Sequence, residues 1–107
     1  MIHFALTHHA VERAKERVGW NRSTLGRMLE RVFYDGLAAS TPRREIRGLL
    51  LGYQTQDQSQ FARAYGEHVF LFTRGQVPDE AILVTVLPLP HGLRSAAREA
   101  RRLAYAS

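Results

Sequence analysis

The spacing of apolar residues changes part-way along the chain. From Thr7 to about Tyr53 they recur every three or four positions, which predicts amphipathic helices. Thr7 is placed to N-cap a first helix running to about Val18, with Val11, Ala14 and Val18 as its buried stripe and Gly19 ending it. Asn21 is placed to cap a second, whose apolar face is Leu25, Met28, Leu29, Val32 and Phe33, with Gly36 near its end. A third, shorter helix is predicted from about Pro42 through Ile46, Leu49, Leu50 and Tyr53. Ile2, Phe4 and Leu6 form a short apolar lead before the first helix, and residues 54–60 read as a polar loop.

Beyond that loop the period falls to two. Residues 61–65 and 68–73 read as strands joined by the tight turn Gly66-Glu67, with a positive φ expected at its first central residue. Gly75, Pro78 and Asp79 mark a second turn. Residues 82–87 form a nearly unbroken apolar run, as for a strand buried on both faces, which Pro88 and Pro90 stop. From about Gly92 the chain reads as helical again, with Leu93, Ala97, Ala100 and Ala104 inward and Arg94, Arg98, Arg101 and Arg102 outward. The predicted fold is one α+β domain: N-terminal helices packed on a three-stranded antiparallel meander, then a C-terminal helix.

Composition narrows the function classes. At 107 residues the chain suits a single domain. It has no cysteine, which excludes disulfides, a thiolate nucleophile and thiolate zinc sites. No apolar run is long enough for a membrane span, and the first residues do not read as a signal peptide; a cytoplasmic protein without membrane contact is expected. Fifteen basic residues against ten acidic leave +5, and Lys15 is the one lysine. Guanidinium groups bind phosphate oxygens in pairs, so the arginine bias suits a nucleic-acid partner, although arginine-rich coding alone would also produce it. The charge is uneven: residues 1–48 carry nine basic and five acidic groups, 49–90 two and four, and 91–107 four and one. Two basic ends that met in space would form a single patch.

Candidate chemistry sits first on the leading helix. His9, Arg13 and Arg17 recur at every fourth residue and form one row beside the buried stripe, where a helix meets a sheet. An imidazole can move a proton near neutral pH, and two guanidinium groups can hold a phosphate as charge builds on it. The same row also reads as a solvated face paired with Glu12 and Glu16. His8 points about 100° from His9, so the two do not make a metal pair, and neither a metal nor another cofactor is expected. On the hairpin, Arg63 and Tyr65 share a strand face; Tyr65 could stack on a base and His68 could act as the partner acid or base, or both could be ordinary strand residues. Thr85, the one polar side chain in its apolar run, needs a hydrogen bond to backbone or at the floor of a site.

Three blocks carry a resemblance. Residues 7–19 (THHAVERAKERVG), residues 65–72 (YGEHVFLF) and residues 83–88 (LVTVLP) resemble, in order, the opening, hairpin and closing strand of small uncharacterised phage and bacterial proteins. These are similar to toxin-type ribonucleases of the barnase/EndoU/colicin/RelE-like fold class, in which helices precede a curved antiparallel sheet. The resemblance implies His9, Arg13 and Arg17 as the site, with Thr85 on the sheet. His8 stands where the pattern has lysine, and the arginine-rich C-terminal helix is an addition.

The leading expectation is a metal-independent endoribonuclease. His9, or His68, takes the proton of a ribose 2′-OH that attacks the adjacent phosphate, Arg13 and Arg17 stabilise the charge, and a second group protonates the departing 5′-oxygen, leaving a 2′,3′-cyclic phosphate end. The alternative is a non-catalytic phage-type modulator that grips nucleic acid or a host or antitoxin-like protein. The residues expected to contact nucleic acid are Arg63, Tyr65, Arg94, Arg98, Arg101 and Arg102. A third reading has the C-terminal helix docking on another subunit.

Overall fold

The computed structural model describes residues 1–56 and 58–106. Both expected N-caps form. Thr7 Oγ1 accepts from the Ala10 amide at 3.0 Å and opens α1 (His8–Arg17). Asn21 Oδ1 accepts from the Thr24 amide at 2.8 Å and opens α2 (Arg22–Asp35). Gly36 ends α2 at a point where a Cβ would run into the Val32 carbonyl oxygen and press on Arg63, so the chain can turn this close to the sheet only without a side chain. The third helix, α3, spans Arg44–Gln56. It starts two residues after Pro42 and outlasts Tyr53, so most of the predicted 54–60 loop is helix or strand; Asp57 lies outside the described residues.

The meander is present as β2 (Gln60–Tyr65), β3 (His68–Arg74) and β4 (Glu80–Pro88). Tyr65 lies opposite His68, and Gly66 has φ +62°, the two-residue turn expected there. The sheet, however, has four strands and is mixed. The apolar lead forms β1 (His3–Leu6), which runs parallel to β4 with His3 to Leu6 opposite Glu80 to Leu83, giving the order β1-β4-β3-β2. Four residues with a parallel partner more than seventy positions away carry no turn signal, so the pairing leaves no mark on the local sequence.

The helices are also divided differently from the expectation. α1 and α2 pack on one face of the sheet, with Ala10, Ala14, Leu25, Leu29 and Val32 against Phe70, Phe72, Leu83 and Val86. α3 crosses to the other face and joins the C-terminal helix α4 (Arg94–Ala106), where Ile46, Leu50, Ala97 and Ala100 meet Ala62, Ala64, Val69 and Leu71. The strand buried on both faces is therefore β3, whose residues 69–72 are all buried, and not β4, where Ile82, Val84, Thr85 and Leu87 stay partly open. A bulge adds to this. Leu71 faces Thr85 and Phe72 faces Leu83, leaving Val84 as the extra residue.

β1 covers only the first half of the β4 edge, and α1 closes the rest. The Thr7 amide donates to the Leu83 carbonyl at 3.2 Å. Its hydroxyl lies 3.2 Å from the Leu83 carbonyl oxygen and 3.1 Å from that of Val84. About one turn beyond the buried Ala14, Arg17 Nη1 donates to the Val86 carbonyl. Ala10 and Ala14, both fully buried, let the helix lie this close. At the opposite edge, Leu37 and Ala64 exchange both backbone hydrogen bonds, at 2.8 and 2.9 Å, as a one-residue cover on β2. No described helix is long and apolar enough to cross a membrane.

Thr7 thus serves a helix cap and a strand edge with one hydroxyl. Thr7→Val, close in shape, should destabilise the fold by about 1–2 kcal/mol, read as a lower urea midpoint at unchanged m, while Thr7→Ser retains most of the stability.

Candidate nucleic-acid interface

After Pro88 and Pro90, a 3₁₀ turn at His91–Leu93 leads into α4. Ala96, Ala97 and Ala100 are buried; of the four arginines expected to face outward, Arg98 and Arg102 are exposed, whereas Arg94 and Arg101 are half-buried on the flank of the helix. Ala104, expected to face inward, is exposed, because the buried stripe ends one turn earlier. Two of the arginines tie the helix to the β2–β3 hairpin. Arg101 Nη1 donates to the Gly66 carbonyl at 2.8 Å, and Arg94 Nη1 lies 3.8 Å from the Glu67 carboxylate. The buried Nε of Arg94 has no hydrogen-bond partner among the described residues. Arg98 and Arg102 are exposed and make no ion pair or hydrogen bond among the described residues.

The N-terminus of α3 extends this surface. Arg43 Nη1 reaches Glu99 of α4 at 3.3 Å while its Nε lies 3.1 Å from Glu45, and Arg44 and Arg47 follow on α3. Residues 43–56 and 94–106 together hold seven arginines and two glutamates. Helices α1 and α2 hold six cations and four acids, and the remaining chain two cations and four acids. An excess of five, equal to the chain's whole net charge, therefore sits on the α3/α4 layer. The two basic ends do meet in space, but the N-terminal one arrives through residues 43–47 rather than through α1.

The row on α1 lies on the opposite side of the sheet. His9 is exposed, Arg13 is ion-paired with Glu16 at 2.8 Å, and Arg17 is held by the Val86 carbonyl. His8 pairs with Glu12 at 3.0 Å. From His9 to Arg17 the row covers about 12 Å of helix, longer than one phosphate group. Thr85 faces the other way: it lies opposite Leu71, on the α3/α4 face, half-exposed and without a hydrogen bond among the described residues. His68 begins β3 opposite Pro88, on the same face as Phe70. By register the fold brings His68 and Arg17 toward one end of that face and leaves His9 at the other. Among the described residues no three His, Asp or Glu side chains come together as a metal-holding group.

Arg63 and Tyr65 project from β2 toward α2. Arg63 Nε donates to the Phe33 carbonyl at 3.0 Å and Nη1 to that of Ala62 at 3.2 Å. Its Cζ lies 4.8 Å from the Phe33 ring centre and 5.3 Å from that of Phe61. The Phe33 carbonyl is one of the last in α2 and has no acceptor role within the helix, so Arg63 caps the negative end of that helix. Burial lowers this guanidinium below the usual arginine value, and no carboxylate pairs with it among the described residues. Tyr65 packs against Trp20, ring centres 6.5 Å apart, and Trp20 in turn against Phe70 at 5.7 Å. Both residues have packing roles here.

Two cavities flank Arg63. One, about 730 Å³, is bounded by the 74–81 turn, Phe61 and Gln54. The other, about 1010 Å³, lies between the end of α2, residues 36–43, and Ala100, Leu103 and Ala104 of α4. Phe33, Ala38, Ser40 and Arg63 line both. None of His9, Arg13, Arg17, His68 and Thr85 lines either.

No family model, curated protein or solved structure matches this chain. The likeness to toxin-type ribonucleases therefore rests on the three sequence blocks alone, and charge and geometry carry the functional reading.

Sequence reasoning passed over Arg43, Arg44 and Arg47, although an arginine pair with a third three residues later, just past a proline, was a legible basic helix start. It also passed over Tyr34, an aromatic on the polar side of α2, opposite Leu25 and Val32.

The capping role of Arg63 is testable. Arg63→Leu should lower stability by about 1–2 kcal/mol in urea unfolding, through the lost bond to the Phe33 carbonyl and the lost ring contacts. Arg63→Lys should recover little, because a compact, strongly hydrated ammonium lacks the planar guanidinium that lies against the Phe33 and Phe61 rings while donating to backbone.

Proposed function

We propose that this protein binds the phosphate backbone of RNA through the α3/α4 layer. The observation that carries the reading is the concentration of seven arginines against two glutamates in two adjoining segments, residues 43–56 and 94–106, with Arg98 and Arg102 free to meet a ligand. Arg94 and Arg101 fix α4 to the hairpin, which gives the outer arginines a rigid base. A polyanion laid along α4 meets Arg98 and Arg102 one turn apart, and Arg44 and Arg47 on α3 add to the positive field of the same layer. Binding of this kind releases counterions and is steeply salt-dependent. A protein partner held by shape would be far less so.

The endoribonuclease expectation places chemistry on the other side of the sheet. It asks His9 to act with two arginines that are already engaged, Arg13 by Glu16 and Arg17 by backbone. Binding without turnover is the reading the side chains favour.

Titration of a labelled RNA at several salt concentrations tests this. The logarithm of affinity should fall with the logarithm of salt at a slope of about −3, as for four contacts on a single strand. Arg98→Ala and Arg102→Ala should each reduce the steepness of that slope by about 0.7, whereas Arg27→Ala, on α2, should leave it unchanged. Salt-insensitive binding, or none, rejects the reading. The same mixtures incubated in EDTA report on cleavage; products that disappear with His9→Ala would restore the ribonuclease mechanism.

A further inference from the structure

Resting on that reading, the larger cavity has the make-up of a base-binding site, and we infer that the RNA is bound single-stranded, with one base stacked on Tyr34. Tyr34 stands on the last turn of α2 and is 59% exposed, which is unusual for an aromatic side chain lining a cavity. Its hydroxyl has no partner among the described residues. The ring is braced edge-on by Phe33, with centres 5.0 Å apart and an interplanar angle of 83°. Phe33 is itself fixed by edge contacts to Phe4 at 5.5 Å and Phe61 at 5.9 Å, and by the Arg63 guanidinium over its face. The platform is therefore held from behind and open in front.

Leu103 of α4, 57% exposed and also apolar, lines the same cavity. At about 1010 Å³, this space is at the upper end of the range that takes a small organic ligand. Charge decides which part of a nucleotide enters. Asp35 lies on the rim next to Tyr34 and repels a phosphate, but its carboxylate can accept from the amino group of a base. Of the lining cations, Arg63 lies against the Phe33 ring and Arg43 is paired with Glu45 and Glu99; the open cations, Arg102 and Arg98, lie along α4, which leads away from Leu103. A strand that follows α4 with its phosphates can thus turn one base onto Tyr34. A duplex keeps its bases paired and stacked and has no face to offer.

The test compares a labelled single strand with a duplex of the same sequence and length at one salt concentration, using the wild-type chain, Tyr34→Ala and Tyr34→Phe. The wild type should bind the single strand at least roughly tenfold more tightly. Tyr34→Ala should weaken single-strand binding roughly tenfold while leaving the salt slope and the duplex affinity unchanged, and Tyr34→Phe should retain it. Thermal melting of both variants shows that an exposed side chain was exchanged without loss of the fold. Equal affinity for the two polymers, or a single-strand affinity unmoved by Tyr34→Ala, overturns the base site while leaving backbone binding standing. Loss of salt-dependent binding to both polymers in the wild type would instead remove the reading on which it rests.

Discussion

Residues 69–72 of β3 are four consecutive buried side chains, and they dictate the architecture. Val69 and Leu71 point to one side of the sheet, Phe70 and Phe72 to the other, and each pair needs apolar cover. A single helical layer could satisfy only half of them. The chain resolves this by sending α3 across to the face that α4 completes. The surface chemistry follows from that crossing, because it sets the α1 row and the α3/α4 arginines on opposite sides of a sheet.

That separation distinguishes two groups of cations that look alike in sequence. On α1 and β2 the guanidinium groups are used internally: Arg17 closes a strand edge, Arg63 caps a helix, and Arg13 is ion-paired. On α4, Arg94 and Arg101 anchor the helix and Arg98 and Arg102 remain open to solvent. A cation already donating to a buried backbone carbonyl can be diverted to a ligand only by leaving that carbonyl unpaired, which costs about as much as a good phosphate contact gains. The exposed arginines of α4 carry no such penalty.

Much of the secondary structure was legible from local chemistry. Thr7 and Asn21 announced their helices because a short hydroxyl or amide oxygen is what an uncovered helix N-terminus needs. Gly66 announced the hairpin because its turn demands a positive φ. The outward Arg98 and Arg102 of α4 followed from its period. The legible part of the candidate site ended there. Tyr34 could be placed on the polar side of α2, but not beside Leu103 of α4, which lies nearly seventy residues further on.

The amino-acid order alone settled where most helices and strands run, because caps, turns and hydrophobic periods act over a few residues. Pairing and partition were left to the folded chain. β1 joined β4 because its Phe4 and Leu6 had an apolar face to complete, and no local signal marks a parallel partner. α3 changed sides because β3 needed covering there. The arginines of α3 and α4 became one surface only when that crossing brought Arg43 to Glu99. Long-range placement depends on which buried faces remain to be covered, a property of the whole assembled core and of no single segment.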